Sequence, residues 1–461
     1  MTYQEALEWI MSFWAPERSR EQERLLRPLK VPRTRALLRR LGSPQSRYPC
    51  VLVAGTKGKG STVAFIADGL RAAGYRVGRY TQPHLIDWRE RTWVDGCLIQ
   101  PAEVADLAER IRPEVEALGR EPEGFGGLTT YEVGTALTLA YFAERQVDGA
   151  VLEIGVGGRL DALNAVDPVL SVVTSISFDH ADVLGDTLAE IAAEKAGVFR
   201  PGRAAVSAPQ PPEVETVLCR AALEQGTRLH LVGRGGAWST SPNAGDRSGK
   251  GGRCACGGDW WWREGAGPDL IDVLGPRGRL EGLRVALLGD HQRDNAAVAV
   301  ACLQLLGEVG FVVEDSAIRK ALSEVEWPGR VQRLRSDPTV VVDAAHNADS
   351  ARCLVDTIRR QFRYRRLILV FGASWDKDID GMARELGPVA DQVVVTSSGH
   401  RRAADVGTLA RHFSGYSRVR AVPEPSAALA EAVAMASPPD LVLVTGSVFL
   451  VGRALQVMSD G

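Results

Sequence analysis

The sequence predicts an α/β protein of two domains: a larger parallel-sheet domain that contains a phosphate-binding loop, and a smaller Rossmann-like domain. Short apolar runs, typical of buried strands, alternate with longer segments whose apolar residues repeat at helical spacing. Such alternation implies right-handed βαβ crossovers and parallel strand pairing. The length of 461 residues exceeds one typical domain, so we expect two.

The first half of the chain supplies most of the predicted elements. Apolar runs predict buried strands at 51–54, 77–80, 149–155 and 170–176. Apolar residues at helical spacing predict helices at 3–14, 33–41, 61–73, 101–118, 131–145, 186–198 and from 293 to about 306. Between 90 and 99 a hairpin is predicted, because Asp95-Gly96 is typical of a two-residue turn.

A second α/β pattern begins near residue 326. Its strands are predicted at 339–343, 367–371, 392–396 and 441–445. We place the domain boundary near the Trp-Pro-Gly sequence at 327–329, which gives domains 1–325 and 326–461.

Between these patterns, segment 233–268 changes in composition. It is rich in glycine and serine and ends near three consecutive tryptophans, 260–262. We interpret it as a surface insertion between strands, held down by the tryptophans.

The composition is that of an ordinary globular protein, with 45% apolar and 24% charged residues. A net charge of −2 gives no reason to expect nucleic acid or a membrane surface as a partner. Because the chain has neither a secretory signal pattern nor a long apolar run, we expect a cytoplasmic protein with free thiols. Cys254 and Cys256 are close in sequence but have no second pair nearby, so we do not expect zinc.

The motif at 51–62, VLVAGTKGKGST, reads as a strand, a glycine-rich turn and the start of a helix. That arrangement points backbone N–H groups and a helix N-terminus at a phosphate. Lys59 adds a mobile cation, and Ser61 or Thr62 offers a hydroxyl to a metal. The match is imperfect, since the usual pattern needs glycine at 53 and a hydroxyl at 60. An ordinary glycine-rich turn remains the alternative at this point.

Polar residues also follow the other predicted strands of the first half: Gln82 to His84, Glu153, and Asp179-His180. Ligands of parallel sheets bind at the carboxyl ends of strands. We interpret Glu153 and His180 as a divalent-metal pair, although Glu153 could instead pair with Arg159.

Three further charged residues belong to the same hypothesis. Lys195 lies on a helix with acidic neighbours, where an ion pair is the default reading. Arg330, in the second domain near Asp343, has the planar fork that suits phosphate oxygens. The residues alone therefore indicate an ATP- and magnesium-dependent enzyme with its site between two α/β domains.

The ordered set of motifs resembles the folylpolyglutamate synthase/dihydrofolate synthase family of the Mur ligase superfamily. The matching stretches cover both domains: AGTKGKGST (54–62), TQPHL (81–85), ERTWVDG (90–96), LTTYEVGTAL (128–137), LEIGVGGRLDALN (152–164), VTSISFDHADVLGDTLAEIAAEKAGVFRPG (173–202), GDHQRDNAAVA (289–299), WPGR (327–330), DAAHN (343–347), FGASWDKD (371–378) and TGSVFLVG (445–452).

The resemblance implies a Mur ligase-like fold and an ATP-dependent ligase that adds L-glutamate to a folate or dihydropteroate carboxylate through an acyl phosphate. It implies an ATP site of Gly58, Lys59, Gly60, Ser61, Asn295, Arg330 and Asp343. It implies that Glu153, His180, Ser61 and Gln82 are the Mg²⁺ ligands, and that Lys195 is carbamylated, which replaces its ion-pair reading. The implied catalytic residues are Lys59, His180, Lys195 and Arg330.

The resemblance also implies the organic substrate sites. Pterin contacts correspond to Thr129, Thr130, Tyr131, Glu132, Leu160, Asp161 and Ala162. His346 and Ser447 correspond to positions around the incoming glutamate. We expect a monomer, because one two-domain chain supplies the whole implied site.

Three residues depart from the family pattern. Lys57 stands where the family usually has asparagine, and Gln82 where it usually has a serine that helps to hold magnesium. Ala344 replaces a glycine, which is tolerable if its φ is negative.

Two other functions stay open at this point. A Mur-type ligase acting on a cell-wall precursor would need an N-terminal nucleotide domain, for which roughly 50 residues leave no room. A nucleotide-binding regulator would lack one of Lys59, Glu153, His180 or Arg330, and all four are present. The motifs do not distinguish dihydropteroate from tetrahydrofolate as substrate, and we favour an enzyme that accepts both.

Overall fold

The computed structural model describes residues 1–13, 26–120, 127–235, 260–267, 269–416 and 418–459. In the chain up to residue 325, the α-helices are α1 Tyr3–Ser12, α2 Lys30–Arg40, α3 Lys59–Ala72, α4 Pro101–Gly119, α5 Thr130–Glu144, α6 Ala181–Leu184, α7 Leu188–Ala196, α8 Pro212–Gln225, α9 Asp290–Leu305 and α10 Asp315–Glu324. The strands are β1 Cys50–Ala54, β2 Val77–Tyr80, β3 Thr92–Val94, β4 Cys97–Leu98, β5 Gly149–Glu153, β6 Leu170–Val173, β7 Ala204–Ser207, β8 Arg228–Arg234, β9 Trp260–Glu264, β10 Leu270–Gly275 and β11 Gly278–Arg284.

These strands form one sheet in the order β11-β10-β9-β8-β7-β6-β1-β5-β2-β3-β4. Pairing is parallel from β9 through β2, and antiparallel among β9, β10 and β11 and among β2, β3 and β4. The β3–β4 hairpin confirms the turn predicted at Asp95 and Gly96.

The strand that leads into the phosphate loop lies at the centre of this sheet. All residues of β1, β5 and β6 are buried, as expected for parallel strands covered on both faces. Val53 of β1 is in register with Glu153 of β5 and Val172 of β6. The glycine loop, Glu153 and the segment after β6 therefore emerge together at one edge of the sheet.

The second half of the chain contains a smaller sheet with helices. Its elements are β12 Gln332–Ser336, β13 Thr339–Val342, α11 Ala348–Gln361, β14 Leu367–Phe371, α12 Ile379–Leu386, β15 Gln392–Val395, α13 Val406–Phe413, β16 Arg418–Ala421, α14 Pro425–Met435, β17 Leu441–Thr445 and α15 Val448–Ser459. The strand order is β12-β13-β17-β14-β15-β16, with only the β12–β13 pair antiparallel. Apolar clusters cover both faces, so this sheet has its own core.

The chain divides into two compact units. The first comprises Met1–Gln82, Arg89–Val285 and Arg293–Val325; the second comprises Pro83–Trp88, Ala286–Gln292 and Glu326–Gly461. Two short segments of the predicted first domain are thus grouped with the second unit. Leu85 illustrates the reason, since its side chain packs against the apolar cluster of the second sheet.

The expectation for segment 233–268 is wrong at both ends. β8 continues to Arg234, and Trp260–Glu264 forms β9 rather than a surface insertion. Trp260 and Trp262 are 1% and 5% exposed, because alternate residues of this strand face the core. Residues 236–259 of the predicted insertion, among them Cys254 and Cys256, lie outside the described residues.

Smaller differences concern element ends. The predicted helix 186–198 begins only at Leu188, because Thr187 caps its N-terminus together with Glu190. The predicted strand 170–176 ends at Val173.

Within the described ranges, none of the helices is both long enough and apolar enough to span a bilayer.

Candidate active site

The glycine loop after β1 depends on two glycines with positive φ, Gly55 at 139° and Gly58 at 86°. A Cβ on Gly55 would lie 1.9 Å from Thr174 Oγ1, and one on Gly58 would lie 2.2 Å from Asn295 Oδ1. Both glycines are therefore required for the backbone conformation and for close packing. The second contact places Asn295 of α9 directly against the loop.

The N-terminus of α3 follows this loop. Gly58 is its N-cap residue and makes no side-chain capping hydrogen bond. Helix N-termini without a side-chain cap retain backbone N–H groups that can bind an anion. Gly60 and Ser61 lie in the first turn, and Ser61 is 3% exposed.

Two lysines converge on one carbonyl oxygen of the loop. Lys195 Nζ donates to the Gly55 oxygen at 2.8 Å, and Lys59 Nζ donates to the same oxygen at 3.3 Å and to that of Thr56 at 3.2 Å. Burial, reinforced by the positive charge of Lys59, lowers the pKa of Lys195 to about 7. A substantial fraction of this buried amine is therefore neutral at neutral pH.

The two ion-pair alternatives are wrong. Glu194, the acidic neighbour of Lys195, accepts hydrogen bonds from Arg27 at 3.1 Å and from Arg159 at 2.7 Å. Arg159 thus binds Glu194 rather than Glu153, and Lys195 binds a carbonyl rather than a carboxylate.

Glu153 ends β5 and is 6% exposed. Its Oε2 accepts a hydrogen bond from the backbone N–H of Gln82 at 3.2 Å. The side-chain amide of Gln82 donates to the Glu153 carbonyl at 3.4 Å. Gln82 is thus bonded to the predicted metal ligand through both its backbone and its side chain.

His180 follows β6 and has φ 52°, a left-handed conformation that is uncommon outside glycine. Its backbone N–H donates to Asp179 Oδ1 at 3.1 Å, and the other oxygen of Asp179 lies 2.8 Å from Lys57 Nζ. Lys57, the extra cation of the loop, is therefore bound to a carboxylate.

The donors at this edge suit Mg²⁺ held jointly with a nucleotide. In the part of the chain that the structure describes, no group of three or more His, Cys, Asp or Glu side chains is arranged to hold a metal. Mg²⁺ is commonly bound by one or two carboxylates together with phosphate oxygens and water. The Glu153 carboxylate and the Ser61 hydroxyl are oxygen donors of this kind.

The predicted pterin residues lie at the start of α5 and in the segment after β5. Thr129 and Glu132 form a capping box, and Glu132 makes a fully buried ion pair with Arg33 at 2.8 Å. Since Glu132 has no exposed surface, it holds the start of α5 in place rather than facing solvent. Thr130 Oγ1 is buried and has no hydrogen-bond partner among the residues that the structure describes.

Asp161 organises the segment after β5. Its carboxylate accepts hydrogen bonds from the backbone of Gly155, Val156 and Leu163 and from the Tyr131 hydroxyl at 2.8 Å. Burial raises the pKa of Asp161. The flanking residues differ, because Leu160 is partly exposed whereas Ala162 is fully buried.

In the second unit, Arg330 precedes β12, and the other predicted residues follow the adjacent strands β13 and β17. Both oxygens of Asp343 accept backbone hydrogen bonds, from Val331 at 2.9 Å and from Ala345 at 2.8 Å. This contact holds Val331, next to Arg330, at φ 43°, a strained value for a β-branched residue. Ala344 does not have a positive φ, so the condition for its replacing a glycine is met.

The residues that the family resemblance predicts around the glutamate substrate, His346 and Ser447, lie at the same edge of the sheet. His346 Nδ1 is 2.9 Å from the Ala344 carbonyl. Ser447 is 5% exposed and accepts a hydrogen bond from the Phe449 N–H at 3.2 Å. β13 and β17 pair in parallel, with Val342 in register with Val444, which brings the two segments together.

Sequence reasoning missed two partners of the predicted residues. Arg33 was recognisable only as a charged residue within a helical pattern, and its burial against Glu132 depends on long-range packing. Asp179 stands beside His180 in the sequence, but nothing in the sequence indicates that Asp179 contacts Lys57.

Comparison with known families gives two matches. The Mur ligase middle domain family matches residues 126–303. The Mur ligase, glutamate ligase domain family matches residues 329–448.

Curated relatives share much of the sequence. The dihydrofolate synthase/folylpolyglutamate synthase of Mycobacterium tuberculosis is 35% identical, over 92% of this chain and 88% of that protein. A probable bifunctional folylpolyglutamate synthase/dihydropteroate synthase of Halobacterium salinarum is 39% identical over 91% of this chain. This chain spans about half of that second relative, 48% of its length.

Solved structures share the fold. E. coli FolC in complex with DHPP and ADP superposes with a TM-score of 0.83 at 30% identity, covering 100% of this chain and 98% of that one. The α/β fold class and the family predicted from the motifs are both confirmed. The chain therefore belongs to the dihydrofolate synthase/folylpolyglutamate synthase family of Mur ligases.

Proposed function

We propose that this chain is an ATP-dependent ligase that joins the amine of L-glutamate to a carboxylate of a folate or of dihydropteroate. The observation that carries the proposal is the position of Lys59, whose amine binds the Gly55 carbonyl beside the N-terminus of α3. A lysine cation and the backbone N–H groups of a helix N-terminus at one loop suit a nucleotide polyphosphate. The similar E. coli protein, described with DHPP and ADP, and the relative named for both synthase activities support both pterin substrates.

The proposed reaction has two steps. A substrate carboxylate oxygen attacks the γ-phosphorus of ATP, ADP leaves, and an acyl phosphate forms. The glutamate amine then attacks the acyl carbon, phosphate leaves, and the amine loses a proton as the amide forms. The first step is needed because a carboxylate is a poor electrophile, whereas phosphate is a good leaving group.

For the nucleotide, we assign Gly58, Lys59, Gly60, Ser61 and Asn295 in the first unit. The backbone N–H groups of the first turn of α3 hold phosphate oxygens, and Lys59 leaves its carbonyl partners to neutralise them. Asn295 packs on Gly58 and fixes the loop.

In the second unit we assign Arg330 and Asp343 to the nucleotide. The guanidinium fork of Arg330 suits phosphate oxygens. Asp343 supports Arg330 indirectly. Its two carboxylate oxygens accept hydrogen bonds from the backbone N–H groups of Val331, which follows Arg330, and of Ala345.

For Mg²⁺, the proposed ligands are Glu153, Ser61, His180 and Gln82. When bound, Mg²⁺ supplies charge neutralisation for the transferring phosphoryl group. Gln82 would ligate through its amide oxygen, since its amide nitrogen donates to the Glu153 carbonyl.

Lys195 is proposed to be carbamylated. Its neutral amine attacks CO₂, an N–C bond forms, and one proton leaves, so that a buried cation becomes an anion. The pKa of about 7 supports this, because the neutral amine is the reactive form. Together with Lys59, His180 and Arg330, Lys195 completes the proposed catalytic set.

For the organic substrates we keep the assignments that the family resemblance implies. Pterin contacts are assigned to Thr129, Thr130, Tyr131, Glu132, Leu160, Asp161 and Ala162, and glutamate contacts to His346 and Ser447. The Thr130 hydroxyl, which is buried and has no partner within the described part of the chain, supports a polar contact there. Of these residues, Glu132 and Ala162 lack exposed surface, so their part in the pterin site is to shape its backbone and not to touch the pterin directly.

The test is glutamate-dependent ADP release, measured with dihydropteroate, tetrahydrofolate or a cell-wall precursor. We expect release with one or both pterins and none with the precursor. Glutamate-dependent release with the precursor alone would contradict the proposal. A monomer acting in the cytoplasm is part of the proposal, and sedimentation of the purified chain tests the first part.

A further inference from the structure

Lys57 is the residue of the glycine loop that the family pattern does not explain. Its Nζ lies 2.8 Å from Asp179 Oδ2. The side chains are 20% and 13% exposed, so the pair is largely shielded from solvent. Partly buried pairs are screened much less than surface pairs, which makes this contact a defined part of the loop.

The Lys57–Asp179 ion pair is one of several contacts between the loop and the segment after β6. The backbone N–H groups of Thr56 and Lys57 both donate to the Ser175 carbonyl, at 2.9 and 3.1 Å. The Thr56 hydroxyl donates to the Ser177 carbonyl at 3.0 Å. The ion pair adds a contact two residues further along this segment, at Asp179.

Asp179 is in turn bonded to His180. Its Oδ1 accepts the His180 backbone N–H at 3.1 Å, while Oδ2 binds Lys57. His180 has φ 52°, a strained conformation for a non-glycine residue that persists only where surrounding contacts hold it. Lys57 thus fixes the carboxylate that caps this strained residue.

We infer that Lys57 is a positioning residue: by binding Asp179 it holds His180 in place beside the phosphate loop, and its charge is not used on the nucleotide. The inference rests on the proposed function, in which His180 is a metal ligand. It assigns Lys57 a role different from that of Lys59, whose amine donates to the backbone carbonyls of Gly55 and Thr56.

The experiment compares Lys57→Met, Asp179→Asn and their double variant, with Lys57→Arg as the conservative control. ADP binding is measured calorimetrically without Mg²⁺, and hydrogen exchange of segment 175–180 is measured in the metal-free, nucleotide-free protein. Lys59→Met is the reference for a lysine that contacts phosphate.

We expect Lys57→Met to lower Mg²⁺-free ADP affinity much less than Lys59→Met does, and the double variant to leave it within about twofold of the wild type, because loss of both partners keeps the net charge beside the loop unchanged. Exchange of segment 175–180 should be faster by about tenfold in Lys57→Met, because the contact that orders it is gone. The Mg²⁺ concentration for half-maximal turnover should also rise about tenfold, as when an outer partner of a metal ligand is removed. Asp179→Asn should have the same effects on exchange and on the Mg²⁺ requirement, the double variant should be no worse than either single one, and Lys57→Arg should keep all three readouts at their wild-type values.

Two outcomes would overturn the inference. One is a loss of Mg²⁺-free ADP affinity in Lys57→Met equal to that in Lys59→Met, with exchange of 175–180 unchanged. The other is additivity of the two single variants. A wild-type protein without glutamate-dependent ADP release would instead contradict the proposed function, so the two failures are distinguishable.

Discussion

The strand ends of the two sheets carry charge in opposite ways. At the first, Lys59 and Lys195 bind backbone carbonyls, and neither has a carboxylate within ion-pair distance in the described ranges. At the second, both oxygens of Asp343 are satisfied by backbone N–H groups. The first edge therefore keeps the Lys59 cation for a polyanion, whereas the second uses its buried charge to fix the backbone beside Arg330.

Lys59→Ala should break this comparison most strongly. We expect glutamate-dependent ADP release to fall about 10³-fold, because a preorganised cation at the transferring phosphoryl group is lost. The circular dichroism spectrum should be unchanged. Lys320→Ala, at an exposed position on α10, is the matched control, and near-normal turnover of Lys59→Ala would contradict the assignment of the loop.

Lys195→Met tests how much the buried positive charge of Lys195 destabilises the folded chain. The measured quantity is the pH dependence of the free energy of unfolding. The pKa of Lys195 is lowered to about 7 in the folded chain, so the unfolded chain binds more protons above pH 7 and stability rises with pH. Between pH 6 and pH 9 the wild type should gain about 2–3 kcal/mol from this group, and the variant should lack that gain.

Urea unfolding of both proteins in CO₂-depleted buffer measures this difference. CO₂ is excluded so that the amine, not a carbamate, is compared. Parallel pH profiles for wild type and variant would show that burial of Lys195 has no such cost.

Asp343→Asn tests the opposite arrangement at the second edge. An amide nitrogen then faces a backbone N–H donor, and one buried donor loses its acceptor. We expect the free energy of unfolding to fall by about 2 kcal/mol. Asp356→Asn, at an exposed position of α11, controls for charge alone, and equal effects of the two changes would refute the backbone-fixing role.

Gln82→Ser should have the smallest effect. The backbone N–H of residue 82, which bonds Glu153, is kept, and a hydroxyl replaces an amide that already has a partner. The Mg²⁺ concentration for half-maximal turnover should change by less than about threefold, in either direction. A larger increase would show that the amide contributes to metal binding on its own.

Much of this architecture follows from local sequence. The apolar run before Gly55 predicted a buried strand that leads into the glycine-rich turn, and Glu153 was predicted at the carboxyl end of another strand of the same parallel sheet. The ion pairs of Lys57 with Asp179 and of Arg33 with Glu132 could not be predicted from the sequence. Such contacts join residues about a hundred or more positions apart, and only the packed chain brings them together.

Two local patterns were also overridden by tertiary structure. Residues 260–264 follow a stretch without any strand pattern, yet they pair with β8 and β10 because alternate tryptophans can be buried there. Segment Pro83–Trp88 is grouped with the second unit although it continues directly from β2 of the first.

That grouping has a consequence for dissecting the protein. The chain passes from one unit to the other at residues 82, 88, 285, 292 and 325, so no single cut separates them. A fragment ending at 325 would keep Leu85 and lose its neighbours Val451 and Gly452, exposing an apolar contact surface. To express either unit alone, one would therefore have to replace the short segments Pro83–Trp88 and Ala286–Gln292 with linkers. Choosing a single boundary would not suffice.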